Sequence, residues 1–232
     1  MLLLAPLYYY MARELPIFPL PLVLFPGASQ PLHIFEPRYR QLLADCMDDD
    51  RRFGIVYAAP DQKHDPEPAP GDIGCVAHIL STEGLPDGRS DILTTGEQRF
   101  VLLQWLATGR PYRMARVEEF VDDAGDDTES EGLVISVRKD FLRVMDALEQ
   151  EPPELPIDPE ALSFRVAASL DLDASAKIAL LSIRSTTVRL RRLAALLQPL
   201  AADAERRAVV RHRARGNGKG GPHPQIEKVP PP

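Results

Sequence analysis

The chain has 232 residues, 44% hydrophobic and 26% charged, so it is long enough for one large or two small domains with a real apolar core. Its net charge is −7, and the 20 basic and 33 acidic residues before Arg206 give that part a charge of −13, which disfavours a general electrostatic role in binding nucleic acid. The two cysteines, Cys46 and Cys75, lack the spacing of a disulfide scaffold or a zinc site, and they favour a reduced, cytoplasmic setting.

Residues 1–13 are predicted to form a flexible N-terminal arm. The run "MLLLAPLYYYM" has no basic segment before its apolar residues and is too short to cross a bilayer. Because Met11 lies just before the regular pattern begins, translation could start at Met1 or at Met11. A weak contact with a membrane surface is the alternative, and stable membrane insertion is not expected.

The next segment, residues 14–121, is predicted to form short β-strands with one inserted helix. Pro16, Pro19, Pro21 and Pro26 exclude a helix over residues 15–25, and Pro26-Gly27 marks a turn. Glu36 followed by Pro37 is typical of a helix start, and the pattern predicts a helix over 36–50 that ends near Met47. Its apolar face consists of Tyr39, Leu42, Leu43 and Cys46.

Further strands are predicted over 53–58, 71–81, 90–96, 99–107 and 112–121. The sequence Pro86-Asp87-Gly88 predicts the turn of a hairpin between two of them. Short, closely spaced strands of this kind close most easily into a small barrel or pseudobarrel.

The composition changes at residues 122–131, an acidic stretch of small residues that we interpret as a linker. Residues 132–212 then show a helical period and are predicted to form a helical bundle. Asp158, Asp173 and either Ser185 or Thr186 are the predicted N-caps. Pro199 is predicted to kink the last helix or to mark its last turn. The inner face of the helix after Asp158 is expected to contain Leu162, Val166, Ser169 and Leu170, and residues 213–232 are predicted to be a disordered tail.

Several of these segments, taken in order, resemble the N-terminal substrate-binding domain of Lon proteases. They are "LPIFPLPLVLFPGASQPLHIFEPRYRQLL", "FGIVYA", "GDIGCVAHI", "LPDGRSDILTTGEQRFVL", "YRMARVEEF" and "LSFRVAASLDLDASAKIALLSIRSTTVRLRRLAALL". The resemblance covers about residues 14–200. It implies an α+β fold in which a PUA-like β pseudobarrel is followed by a helical bundle. It also suggests that Gly96-Glu97-Gln98 is a turn that fixes strand pairing, with Gly96 at positive φ before the buried Phe100.

The sequence departs from a full-length Lon protease. It has no G-x-x-x-x-G-K-[ST] phosphate loop, since "GNGKGG" at 216–221 lacks the spacing and the Ser/Thr, and nothing resembles the Ser–Lys proteolytic dyad. We therefore expect a stand-alone, non-enzymatic domain without a metal or cofactor. Unfolding or cleavage of a bound protein would require a separate ATPase or protease partner.

The candidate peptide-binding residues are Glu36, Arg38, Tyr39, Trp105, Tyr112 and Phe120. The carboxylate and guanidinium at 36 and 38 could hold peptide termini or side chains, and the alternative is a helix cap with a structural ion pair. The aromatic residues could line a groove for unfolded segments, although aromatic residues at strand spacing are more often core. His33 and His78 are interpreted as structural because no second ligand lies at metal spacing.

The expected ligands are unfolded or exposed apolar protein segments, bound at the barrel face and in the cleft between barrel and bundle. The main alternative is an RNA-binding PUA-like module, which the basic run at 206–215 favours weakly and the acidic body disfavours. That run could equally be the solvated end of a helix. A small hydrolase and a structural dimer module are further alternatives, but no G-x-S-x-G, H-E-x-x-H or Cys–His signature is present.

Overall fold

The structure is a computed structural model that describes residues 12–60, 68–123 and 130–217, with side chains as far as residue 211. Most of the predicted arm, the middle of the predicted linker and most of the predicted tail lie outside these residues. Six strands and five helices are described: β1 Arg13–Leu20, β2 Ser29–Ile34, α1 Pro37–Asp48, β3 Arg52–Tyr57, β4 Ile73–Gly84, β5 Ser90–Leu106, β6 Arg113–Glu119, α2 Ser130–Ala147, α3 Pro159–Ser169, α4 Ala174–Leu181 and α5 Thr186–Asn217. The fold is therefore mixed α+β, as predicted.

The strands form one mixed sheet in the order β2-β5-β4-β3-β1-β6, and β5 also pairs with β6. Strands β5, β4, β3, β1 and β6 are thus hydrogen-bonded in a closed cycle, while the only strand that β2 pairs with, among the described strands, is β5. Among the described strand pairs, β1 with β3 is the only parallel one. Residues from all five strands of the cycle meet in one buried apolar cluster that includes Ile17, Val56, Val76, Phe100 and Val117.

The inserted helix α1 agrees with its prediction at both ends. Pro37 is its first residue, Asp48 its last, and the predicted face of Tyr39, Leu42, Leu43 and Cys46 is buried. Proline suits this position because the first helical amide has no partner within the helix. Burial raises the pKa of the Cys46 thiol to about 12, and Cys75 is also buried with a raised pKa, so both thiols are held in the protonated form.

The prediction of two strands separated by a turn at Gly96 is wrong. Residues 90–106 form the single strand β5, and Gly96 does not have a positive φ. The register of β5 against β4 shifts between Arg99 and Gly96, so a bulge bends the strand where the turn was predicted. Gly96 is required for a different reason: a Cβ there would lie 2.2 Å from the backbone oxygen of Phe25, whose turn packs over β5.

Asp158 and Asp173 cap α3 and α4 as predicted, by accepting hydrogen bonds from the amides of residues 161 and 176. Ser185 rather than Thr186 caps α5, since its hydroxyl accepts from the amide of residue 188. Pro199 lies inside α5, which continues to Asn217, so it does not mark the last turn. Ser169 is exposed instead of lying on the inner face of α3, where Phe164 is buried.

A buried ion cluster, which we call the junction, joins the sheet to the helices. Asp122 accepts from Arg99 and from Arg189, with a distance of 2.7 Å between Arg189 Nη2 and Asp122 Oδ2. Arg99 Nη1 also donates to the carbonyls of Leu181 and Ile183 at 2.6 and 2.8 Å. Asp122 belongs to the acidic stretch predicted as a linker, yet its side chain is only 9% exposed, so that end of the stretch is fixed in place.

We call β1 to β6 with α1 the strand half and α2 to α5 the helical half. The helical half has its own apolar cluster, into which Phe25 from the connection between β1 and β2 inserts. Among the helices of residues 12–60, 68–123 and 130–217, none combines the length and the apolar character needed to cross a membrane.

Candidate functional site

The end of β1 and the connection from β2 to α1 enclose an apolar cavity of about 290 Å³, which we call the groove. It is lined by residues 18–21, residues 32–36, Arg38, Tyr39 and Arg113. Three of the predicted site residues, Glu36, Arg38 and Tyr39, therefore lie together.

Prolines and one exposed aromatic residue shape the groove. Pro19 and Pro21 keep the end of β1 extended, and Pro31 lies in β2, where proline is tolerated because β2 is at the edge of the strand order. Phe18 stacks on Tyr39 with ring centroids 3.9 Å apart and forms one wall. Phe35, just before α1, is 58% exposed, so a large apolar side chain is left in contact with water at the groove.

A charged pair lies on the rim of the groove. Arg38 Nε donates to Glu36 Oε2 over 2.9 Å, and the Arg38 guanidinium lies 4.6 Å from the centroid of the Tyr39 ring. The two side chains remain 30% and 38% exposed. The side chain of Glu36 makes no capping hydrogen bond to α1, so of the two structural roles considered for it only the ion pair is present.

The other three predicted residues lie elsewhere. Trp105 is next to the groove, since Arg113 places its guanidinium 5.3 Å from the indole, but the indole N–H donates to the carbonyl of Pro68 at 3.0 Å. Tyr112 is only 4% exposed, and its hydroxyl hydrogen-bonds to Asp45 of α1. Burial, followed by this bond, raises the pKa of the Tyr112 phenol to about 12.

Phe120 belongs to the junction instead of the groove. Its ring lies 4.8 Å from the Arg99 guanidinium and 4.5 Å from that of Arg184. It lines a separate cavity of about 360 Å³ together with Arg99, Asp122 and Glu160. The structure thus does not bring Tyr112 and Phe120 to the groove, because α1 covers the first and the helical half approaches the second.

Most residues of the groove were not predicted as site residues, among them Phe18, Leu32, Phe35 and Arg113. The exposure of Phe35 could have been predicted from the sequence. It is an apolar residue immediately before a Glu-Pro helix start, and such a residue lies outside both the strand and the helix. His33, interpreted as structural, has its Nδ1 2.6 Å from Asp91 Oδ1 across the β2–β5 pair. Within the described ranges no three His, Cys, Asp or Glu side chains are grouped so that they could hold a metal ion.

A second cavity, of about 450 Å³, lies between the connection from β1 to β2 and the helices α3 and α4, and we call it the cleft. Its walls come from residues 21–24, residues 28–30, Arg165, Ala168, Ser169, Leu172, Ala174 and Lys177. It lies between the strand half and the helical half, where a cleft was predicted. Pro21 lines both the groove and the cleft, so the two cavities adjoin.

The chain thus has a mixed α+β fold with a cleft between its strand half and its helical half, and an apolar groove adjoins that cleft. Residues 14–199 match the family described as the ATP-dependent protease La (LON) substrate-binding domain. The chain belongs to this family.

Lon proteases of several bacteria are among its relatives. Lon protease 2 of Herpetosiphon aurantiacus is 30% identical over 193 residues, which cover 79% of this chain and 23% of that protein. The Lon protease of Porphyromonas gingivalis is 29% identical over 149 residues, which cover 62% of this chain and 18% of that protein. The chain thus spans less than a quarter of the length of these two relatives.

Two solved structures share the fold. A Lon N-terminal domain protein from Xanthomonas campestris is 25% identical with a TM-score of 0.59, and the match covers 79% of this chain and 98% of that one. The N-terminal domain of the Mycobacterium avium complex Lon protease, at 18% identity and a TM-score of 0.60, is similar in fold over 82% of this chain and 99% of that one.

Proposed function

We propose that this chain is a non-catalytic binding domain that holds exposed apolar segments of other polypeptides in the groove. The proposal rests on the exposure of Phe35, which is 58% exposed beside the apolar walls formed by Phe18 and Leu32. Membership in a substrate-binding family supports the same role. An apolar segment that covers Phe35 would gain about 25 cal/mol per Å² of apolar surface removed from water, before the costs of association.

A bound apolar segment would align along the edge strand β2. Because β5 is the only described partner of β2, the other edge of β2 can offer backbone groups to an extended chain, except at Pro31, which has no N–H. Leu32 and Ile34 of that strand line the groove. Backbone pairing of this kind is largely independent of sequence, which suits a domain that binds many unfolded proteins. The Glu36–Arg38 pair on the rim would adjust selection among segments.

In this proposal the closed cycle of five strands is a PUA-like pseudobarrel and α2 to α5 are a helical bundle attached to it through the junction. The protein would act in the cytoplasm, in agreement with its two buried free thiols. Its partner would be a protease or ATPase of the Lon type, since its relatives are Lon proteases. The chain itself would only bind its ligand and would catalyse no reaction, so any unfolding or cleavage would be carried out by that partner.

Fluorescence anisotropy with the full chain tests the proposal. Two labelled, unstructured 15-residue peptides with the same charge, one with alternating Leu, Ile and Phe and the other with Ser, Thr and Gln in their place, are titrated beside a labelled structured RNA. We expect the apolar peptide to bind at least about tenfold more tightly than the polar one. Equal binding of the two peptides, or selective binding of the RNA, would contradict the proposal.

A further inference from the structure

The cleft carries two cationic side chains that form no ion pair. Arg165 from α3 and Lys177 from α4 are partly buried in its walls, and neither side chain has a hydrogen-bond or ion-pair partner among the described residues. The buried Nε of Arg165 is the one buried side-chain nitrogen or oxygen without a hydrogen-bond partner in the part of the chain with described side chains. An unsatisfied buried donor is costly and in a native protein calls for an explanation.

The charged residues that line the cleft are both cationic. Its lining contains no Asp or Glu, and its remaining members are apolar residues together with Ser29, Gln30 and Ser169. Asp173, near the cleft in the chain, caps α4 by accepting from residues 175 and 176, and Asp171 is exposed and is not part of the lining. Asp158 and Glu160 line a different cavity of about 250 Å³, which Arg165 also lines.

We propose that the cleft binds a carboxylate of the polypeptide whose apolar segment lies in the groove. This inference rests on the proposed function. Because Pro21 lines both cavities, a chain leaving the groove past Pro21 enters the cleft, where Arg165 and Lys177 can each donate to a carboxylate. The preferred ligand is therefore an apolar segment flanked by Asp, by Glu or by the C-terminal carboxylate.

This arrangement separates two contributions to binding. The groove would select apolar surface without regard to charge, while the cleft would add a charge-assisted hydrogen bond for acidic flanks. A charged hydrogen bond in a partly solvated cleft corresponds to about fivefold to tenfold in affinity. A basic flank would meet like charges and bind more weakly than a neutral one.

Peptide titrations with the full chain test the inference. Labelled 15-residue peptides share one apolar core and carry an Asp pair or an Asn pair at either end, and a further Asn peptide is compared with its C-terminus free and amidated. We expect the Asp peptide, in at least one orientation, to bind the unmodified protein about fivefold to tenfold more tightly than its Asn counterpart. The free and amidated forms tell a side-chain carboxylate from a terminal one.

The variants Arg165→Met and Lys177→Met should each reduce the advantage of the acidic peptides while leaving the affinity of the amidated Asn peptide unchanged. Lys139→Met, which removes one exposed charge from α2, is the matched control and should keep the full advantage. The amidated Asn peptide also reports whether each variant has kept its groove.

Equal affinities of all the peptides for the unmodified protein would overturn the carboxylate site and leave the groove proposal standing. An advantage that survives in both cleft variants would also overturn it. Failure of every peptide to bind would overturn the proposed function together with this inference.

Discussion

The junction and the groove both place arginine against aromatic rings, but the arginine side chains are buried at the junction and partly exposed to water at the groove. At the junction the side chains of Arg99 and Arg189 are 2% and 0% exposed, and the Arg189 guanidinium lies 3.9 Å from the Phe164 ring centroid. At the groove Arg38 packs on Tyr39 with 30% of its side chain exposed.

The difference lies in how the polar groups are satisfied. Arg189 donates through Nη1 to the carbonyl of Ile183, through Nε to Ser163 and through Nη2 to Asp122, each at 2.7 Å. Such a fully bonded cluster can do little except hold the helices against the sheet. The groove instead leaves Phe35 and a half-exposed ion pair in contact with solvent, where a ligand can cover them.

The largest effect that we predict comes from breaking the junction. Arg189→Met should lower the free energy of unfolding by about 3 kcal/mol, because it removes one of the two cations beside Asp122 and the donor to the Ser163 hydroxyl. It also removes one of the two arginine donors to the Ile183 carbonyl, the other being Arg99. Urea denaturation of the variant measures this loss. The control is Arg192→Met on the exposed side of α5, which should change the value by less than about 0.5 kcal/mol. Equal values for the two variants would show that the junction is not a structural lock.

A somewhat smaller effect is expected where the turn at Phe25 packs on β5. Gly96→Ala should destabilise the protein by about 2 kcal/mol, since the added Cβ would meet the Phe25 backbone, which cannot move independently of the turn. Gly84→Ala at the end of β4 has no atom within 4 Å of the new Cβ and serves as the matched control. Thermal unfolding compares the two, and a Gly96 variant as stable as the Gly84 variant would contradict the close packing assigned to this turn.

A substitution at the groove should affect binding alone. Phe35→Ser is expected to weaken binding of an apolar peptide about fivefold to thirtyfold and to leave stability nearly unchanged, because the side chain is 58% exposed in the free protein. Ile157→Ser, at a position 92% exposed outside the groove, should change neither quantity. Anisotropy and urea denaturation of the same samples separate the two effects. A loss of stability without a loss of binding would assign Phe35 to the core.

The smallest effect concerns Glu97, whose pKa is lowered mainly by hydrogen bonds from Arg52 at 2.7 and 3.1 Å. A carboxyl with a lower pKa in the folded state than its ordinary 4.5 stabilises the fold above that value and loses this contribution as the pH falls through the folded-state pKa. Glu97→Gln should thus cost less than about 1 kcal/mol at neutral pH, with the cost vanishing in acid. Denaturation at several pH values measures it, with Glu83→Gln, an exposed residue of β4, as the control. A pH-independent cost would assign the effect to packing.

Features that depend on neighbouring residues could be predicted from the sequence, and features that depend on distant ones could not. The ends of α1 and the caps Asp158 and Asp173 depend on residues within four positions of one another, so local patterns were sufficient. The bulge at Gly96 depends on a turn about 70 residues earlier in the chain, and no local pattern distinguishes it from a hairpin.

The site was predicted less completely for a related reason. Strand alternation indicates which face of a predicted strand a residue occupies, but not that α1 covers Tyr112, which lies just before β6. Nor does a helical pattern with Arg189 among leucines indicate that Asp122, from an acidic stretch, will reach into the core to pair with it. Arg165 and Lys177 gain their significance only when two helices and a loop meet, although a cleft at that place was expected.

Amide chemical-shift mapping of the full chain during titration with the apolar peptide tests the binding role of the groove most directly. We expect the largest shifts at Phe18, Leu20 and residues 32–36, and no shift of the amide signals of Arg99, Asp122 and Arg189. Shifts centred on the junction or on α2 to α5, with residues 32–36 unchanged, would contradict it.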